Sequence, residues 1–464
     1  MDDQSFPPSP SLRTRILDIL SRLKRRQIAY RHIWTGRLIF WSGALLTGLT
    51  AVLFANVTEF AVDSLHALDG RFPLWSFVSA PLGGALIVWL TRRFFAGTEG
   101  SGIPQVMAEL AQHGGHRRLP RPLLSLRILF GKLALGIAAI FAGFSAGREG
   151  PMVQIGASFM AVLGERLPRR LQVSRRHLLA AGGAAGIAAA FNAPLAGIVF
   201  AIEELSHGLE EGMSGLIITA IVIAGVVGQA FFGNYAYFGW INITGVENSH
   251  PPLLLLAAAL LCGVAGGGFS RLLLFATANR LPGPVGRWRS DYPVWFAAGC
   301  GLLVALIGAV SGGLTYGTGY GEAKHLLAQD ATLPWHYGID KFLATLVSFS
   351  SGIPGGLFAP SLAVGAGLGQ NLHSLIQTSY QPGMTNVLCM AGFLAAVTQA
   401  PITAFVIVME MVSGYGMVID LMIVTLLASG ISRTLCPPLY RTMALRYLAK
   451  AGPAQAETRN ADHA

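Results

Sequence analysis

Two opposite charges stand side by side in the middle of an apolar region. Gly147-Arg148-Glu149-Gly150-Pro151 separates the apolar runs Leu133–Ser145 and Met152–Leu163. On insertion scales a charged residue at the centre of a bilayer costs about 2.5–3.5 kcal/mol. The flanking glycines loosen the backbone. Proline suits the first turn of a helix, where its missing N–H would have no partner. The stretch therefore predicts a break in a membrane helix, with a new helix starting near Pro151. The unpaired N–H groups of such a start carry partial positive charge and make an anion site. Irregular backbone at this depth survives only where it lines a cavity or is buried in protein. A carboxylate placed there occupies the anion site when ionised and leaves it on taking a proton.

The rest of the chain has the composition such a break needs. Of its 464 residues, 53% are hydrophobic and only 12% charged, and the mean hydropathy is +0.54. Soluble domains carry about 25% charged residues. Many separate apolar segments predict an all-α polytopic membrane protein rather than a singly anchored one. The net charge of +10 lies in the first forty residues and in short loops, without interleaved aromatics, so it argues against nucleic acid. It fits cytoplasmic loops under the positive-inside rule. Arg13, Arg15, Arg22, Lys24, Arg25, Arg26, Arg31 and Arg37 precede the first span and put the N-terminus in the cytoplasm. Arg441, Arg446 and Lys450 do the same for the C-terminus. The first apolar run, Leu38–Val57, exceeds the about 7–15 residues of a signal-peptide core and reads as an uncleaved span. Cys262, Cys300, Cys389 and Cys436 are far apart, without metal spacing, and read as small buried hydrophobes. No metal or cofactor is implied.

The organisation divides in two. Residues 1–37 form a basic cytoplasmic lead-in, weakly helical from Leu12 to Arg31. A first transmembrane set covers 38–233, with ordinary spans at Leu38–Val57 and Leu74–Leu90 and then short or glycine-interrupted segments. A polar, aromatic connection covers 234–252. A second set covers 253–450 and ends in a helix over Arg433–Lys450 entered through Pro437-Pro438. The tail, 451–464, reads as disordered and cytoplasmic. The halves resemble each other. Gly147…Pro151-x4-Gly156-Ala157 matches Gly356…Pro360-x4-Gly365-Ala366 at an offset of 209 (360 − 151). Ala193-Pro194-x8-Glu203 matches Ala400-Pro401-x8-Glu410 at 207 (401 − 194). Two ordered matches at nearly one offset argue for internal duplication. Broken helices at corresponding places predict a transport site at mid-membrane between the halves. Span parity leaves the relative orientation of the halves open.

Two further breaks accompany the first. Gly100-Ser101-Gly102-Ile103-Pro104 precedes a short apolar helix; Ser101 either caps it or donates its hydroxyl to an ion. Gly355-Gly356-Leu357-Phe358-Ala359-Pro360 is the repeat partner of the first break and turns the amides of Leu357 and Phe358 toward the centre. Glu203 and Glu204 end an apolar segment and point in different directions on a helix. Glu410 answers Glu203 in the repeat, which suggests a structural pair and leaves Glu204 as an inner proton acceptor or a solvated helix end. Tyr440, after Pro437-Pro438, is either an interfacial residue or a hydroxyl donor to an ion. Arg127, Lys132, Lys341 and Asp420 read as snorkelling or paired residues, and Gly182-x3-Gly186 as close helix packing.

Gly100-Ser101-Gly102-Ile103-Pro104, Gly147-Arg148-Glu149-Gly150-Pro151 and Gly356-Leu357-Phe358-Ala359-Pro360 resemble the three signature motifs of the CLC chloride channel and transporter family. Pro438-Leu439-Tyr440 resembles its fourth contributor, and the likeness covers roughly residues 35–450. It implies two halves of inverted topology, with many short, tilted and broken helices, in a homodimer with one pore per subunit. It implies a central chloride held by the hydroxyls of Ser101 and Tyr440 and the amides of Leu357 and Phe358. An outer anion site is framed by the amides of Arg148, Glu149 and Gly150. Glu149 is then the external gate and proton carrier, and Glu204 matches the inner proton acceptor of the family's antiporters. Serine rather than proline at position 101 resembles the chloride-preferring form. The resemblance thus implies a multi-pass exchanger of chloride for protons in the inner (plasma) membrane, a passive chloride channel being the alternative. A membrane-embedded enzyme would need a nucleophile paired with a base in a broken helix, and Ser101 has no such partner in the sequence.

Overall fold

The computed structural model describes residues 12–112, 119, 122–165, 174–206, 214–233, 238, 251–278, 283–329, 332–376 and 380–449. Most of the connection expected at 234–252, and all of the tail expected at 451–464, lie outside these residues. The described residues form α-helices and their connections, with only two isolated β-bridges. The first half holds α1 (Leu12–Arg71), α2 (Trp75–Arg93), α3 (Ile103–Gln112), α4 (Leu126–Phe141), α5 (Glu149–Glu165) and α6 (Arg175–Phe191). It continues with α7 (Pro194–Phe200), which runs into a π-helical turn (Ala201–Ser206), and α8 (Ser214–Phe232). The second half holds α9 (Pro252–Thr277), α10 (Gly283–Asp291), α11 (Pro293–Val310), α12 (Tyr320–Ala328) and α13 (Tyr337–Ser350). It ends with α14 (Phe358–Leu375), α15 (Pro382–Thr398), α16 (Pro401–Val412), α17 (Val418–Leu435) and α18 (Leu439–Ala449).

Two element boundaries differ from those read in the sequence. The helix expected to end at Val57 runs on to Arg71, and its apolar part covers Gly36–Arg71. No proline interrupts it there, and the Thr58 hydroxyl folds back onto the Phe54 and Ala55 carbonyls, so polar residues are carried without breaking the ladder. The expected last helix, Arg433–Lys450, is instead two. Arg433 lies in the last turn of α17, Cys436 is extended (φ −150°), and α18 starts only at Leu439. Proline at 437 and 438 explains the gap, since neither can donate to a continuing helix.

The two halves fold alike. α6 and α15 form the interior of each, and α15 is buried along nearly its whole length, as expected of a helix apolar on every side. A Cβ added to Gly156 would run into the carbonyl of Gly182, and one on Gly182 into that of Gly156, so α5 and α6 touch backbone to backbone. In the second half Gly365 of α14 meets the Cys389 carbonyl of α15 in the same way. The Gly182-x3-Gly186 spacing is thus helix packing. α6 ends at Asn192 (φ 53°) and α15 at Gln399 (φ 58°), both left-handed. An Ala-Pro pair then starts α7 and α16.

Glutamates tie these two starts together. Glu203 accepts from Ile402 N (3.2 Å) and Thr403 N (2.7 Å) at the head of α16. Glu410 accepts from Leu195 N (3.1 Å) and Ala196 N (2.7 Å) at the head of α7. Each acid caps the other half's helix. Such reciprocity, residue i on j′ and j on i′, is the mark of a two-fold relation. The repeat pair read from the sequence therefore has the structural role expected of it.

Candidate functional site

The three Gly/Pro breaks meet through backbone hydrogen bonds. Gly147 N donates to Gly356 O (2.8 Å) and Gly356 N to Gly147 O (2.7 Å), an antiparallel bridge between repeat partners. Gly100 N donates to Ile353 O and Gly355 N to Gly100 O, each at 3.0 Å. The polar backbone exposed by the breaks is thereby satisfied within protein, as membrane depth demands. Side chains would not fit. A Cβ on Gly150 would strike Ser101 Oγ, and Gly102 (φ +101°) faces Gln154 and the Gly150 carbonyl.

This junction brings the heads of α5 and α14 together, N-terminus to N-terminus. Glu149, the first residue of α5, is wholly buried. Its Oε2 accepts from Ala359 N at the start of α14 (3.4 Å), and its Oε1 accepts from the Tyr320 hydroxyl (2.7 Å). The carboxylate therefore occupies an anion position at a helix N-terminus. Arg148 Nε stands 3.9 Å from Glu149 Oε1. Its Nη1 turns to α1, donating to Ala55 O and Glu59 Oε1 (3.2 Å each) and Thr58 Oγ1 (3.3 Å). The guanidinium also lies 5.3 Å over the Tyr320 ring, a cation–π contact that holds the ring beneath the acid.

Deeper in, Ser101 Oγ and the Tyr440 hydroxyl are buried with no hydrogen-bond partner among the described residues. They come from the second break and from the head of α18, yet they lie side by side, within range of the Glu204 and Glu149 carboxyls. The Tyr440 ring stacks on Phe358 (6.3 Å between centroids, 16° apart). Phe358 is held in turn against Phe191 and Phe200. Leu357 and Phe358, at the head of α14, are buried. Buried polar groups are almost always paired, so two neighbouring unpaired hydroxyls beside a helix start form a donor set suited to an anion. Glu204 lies in the π-helical turn, a distortion frequent at functional sites. Unlike Glu203, it caps no helix among the described residues.

Buried lysines frame the junction. Lys132 Nζ donates to Thr98 O (2.8 Å) and Gly100 O (2.5 Å). Lys341 Nζ donates to Thr315 O (2.9 Å) and Gly317 O (3.0 Å). They stand 209 residues apart (341 − 132), the offset of the first and third breaks. Each neutralises carbonyls of an irregular segment, so both are structural, as the sequence suggested. Asp420 likewise is paired, accepting from Tyr380 OH (2.5 Å).

The profile of the voltage-gated chloride channel family matches residues 83–433. This chain belongs to that family. An H(+)/Cl(-) exchange transporter ClcA of Cronobacter sakazakii is 33% identical over 446 residues, covering 90% of this chain and 92% of that one. The ClcA of Salmonella typhimurium is 30% identical over 485 residues, covering 98% and 97%. Among solved structures, a slow cyanobacterial Cl-/H+ antiporter superposes with a TM-score of 0.75 at 26% identity, covering 90% of this chain and 98% of that one. A CLC-type fluoride/proton antiporter shares the fold, with a TM-score of 0.72 at 22% identity. The all-α, polytopic CLC architecture is thus established, and the protein is a multi-pass membrane protein of a transport family.

Within that architecture, the residues singled out by sequence fall into one cluster. Ser101, Glu149, Leu357, Phe358 and Tyr440 converge, although up to 339 positions separate them (440 − 101). Arg148 enters the cluster at its edge, its guanidinium bound largely to α1. Tyr320 was missed. It opens α12 immediately after Gly317-Thr318-Gly319, and the weak likeness of Gly317-Thr318 to Gly97-Thr98 in the first half was the available signal.

Proposed function

We propose that this CLC-family chain is a secondary active transporter that exchanges chloride for protons. The observation that carries the reading is the seat of the Glu149 carboxylate, buried between two helix heads and accepting from Tyr320 OH and Ala359 N. When ionised it fills the position that suits an anion. When protonated it loses its charge and much of its hold there, and a chloride takes the vacated donors. Each ligand favours a different state, and proton and anion occupancy are linked in consequence. A central chloride takes the hydroxyls of Ser101 and Tyr440 and the amides of Leu357 and Phe358. An outer one takes the amides of Arg148, Glu149 and Gly150. Glu204 accepts protons from the inner side, relayed past Tyr440. The exchange activity named for the similar proteins supports this assignment over a passive channel.

The reading extends to a homodimer with one pore per subunit in the inner (plasma) membrane, both termini cytoplasmic. Family resemblance supports the dimer, and the Arg/Lys bias of the loops supports the orientation. No catalytic chemistry, cofactor or nucleic-acid partner is part of it. The test is purified protein in liposomes, with chloride and pH read together. A chloride gradient should drive protons uphill, and Glu149→Ala should pass chloride without protons. Passive chloride flux in the wild type, with no proton movement, would make the protein a channel. Proton pumping retained in Glu149→Ala would remove Glu149 from the gate.

A further inference from the structure

A cavity of ≈ 660 Å³ opens beside Ser101 and Gly100 and reaches the ends of α2, α9, α10 and α18. Pockets of about 300–1,000 Å³ take drug-sized ligands, so the space exceeds the needs of one halide. Three arginines from three elements line it: Arg92 in the last turn of α2, Arg289 on α10 and Arg446 on α18. All three line the one space, and the charges of Arg446 and Arg92 both act against that of Arg289. Arg446 is held in place, donating from Nη1 to Thr277 Oγ1 (2.9 Å) and from Nη2 to Leu274 O (3.0 Å). Arg289 lies over the Phe296 ring at 5.9 Å, and its Nη1 is buried without a hydrogen-bond partner.

The one acid among the described residues of the same wall, Glu99, sets a single negative charge against three guanidinium groups. Glu99 accepts from Gly97 N (2.8 Å) and from Tyr447 OH (3.1 Å), so both its oxygens are engaged. Converging guanidinium groups with an unanswered donor call for a ligand of more than one negative charge. The planar guanidinium fork matches phosphate oxygens two at a time, which a spherical halide cannot exploit.

We propose that this cavity binds a phosphate-bearing polyanion, and that the occupant closes the path between Ser101 and that face of the membrane. The proposal rests on the exchange reading for its consequence but not for the binding itself. The cavity borders the proposed chloride donors only at Ser101; Leu357, Phe358 and Tyr440 lie outside its lining. Diphosphates and anionic lipid headgroups share the chemistry, and the experiment separates them.

Pyrophosphate is titrated into the detergent-solubilised protein by calorimetry, and exchange is measured in vesicles of uncharged phosphatidylcholine with pyrophosphate on one face or the other. The expected result is saturable binding, inhibition from one face only, and both weakened at least tenfold in Arg289→Gln and in Arg92→Gln. These variants should exchange normally without pyrophosphate. Inhibition that appears only when phosphatidylglycerol is added to the vesicles, and that Arg289→Gln relieves, assigns the site to a headgroup. No binding and no inhibition in either arm, or inhibition equal in wild type and both variants, overturns the proposal. Calorimetric binding by a protein that fails to exchange would leave this site standing and sink the transport reading instead.

Discussion

Tyr320→Phe isolates the latch on Glu149, the proposed gating acid. The substitution removes the hydroxyl that donates to Glu149 Oε1 at 2.7 Å and leaves the ring under the Arg148 guanidinium, 5.3 Å away. The second bond to the carboxylate, from Ala359 N, is long at 3.4 Å, so the tyrosine bond is the stronger of the two. A hydrogen bond to a charged group contributes about 1.5–3 kcal/mol. At about 1.4 kcal/mol per tenfold, its loss shifts the equilibrium between carboxylate in the site and carboxylate out of it by roughly 10- to 100-fold. In the proposed exchange, chloride competes with the carboxylate for the same donors. Its apparent dissociation constant therefore falls by the same factor for as long as the carboxylate dominates the site. Calorimetric titration of chloride into purified protein near neutral pH should show tighter binding in Tyr320→Phe than in wild type. Unchanged or weaker chloride binding would refute the latch and the competition it assumes. A variant that no longer melts cooperatively would be replaced by Tyr320→Leu, which also lacks the hydroxyl.

The remaining predictions concern other parts of the pathway and its frame. Glu204→Gln should stop proton transport while chloride flux survives, and exchange at wild-type stoichiometry would take Glu204 out of the route. Tyr440→Ala removes an unpaired buried hydroxyl and should weaken central anion binding; unchanged halide binding by calorimetry would count against its role. Lys132→Met should strand the carbonyl of Thr98 and leave that of Gly100 with only its bond from Gly355 N, the unpaired group costing about 1–3 kcal/mol. A clearly lower melting temperature in detergent is the expected result, and an unchanged one would contradict the framing role.

What the sequence by itself determined was where the membrane helices must break. Charge, glycine and proline inside apolar runs are costly in a bilayer, and that cost is local, so Gly100–Pro104, Gly147–Pro151 and Gly356–Pro360 stood out without any fold. The repeat offset carried further, pairing Glu203 with Glu410 before their reciprocal capping was visible. Where no proline or glycine marked a boundary, as beyond Val57, the helix end was illegible. Only the tertiary structure decided which side chains meet at the breaks. Tyr320 reaches Glu149 across 171 positions, and Arg148 spends its charge on α1 rather than on the central site. Lys132 and Lys341 hold carbonyls of segments that no local pattern connects to them. A hydrogen bond needs a particular distance and direction, and these follow from how helices cross, which no single stretch of chain encodes.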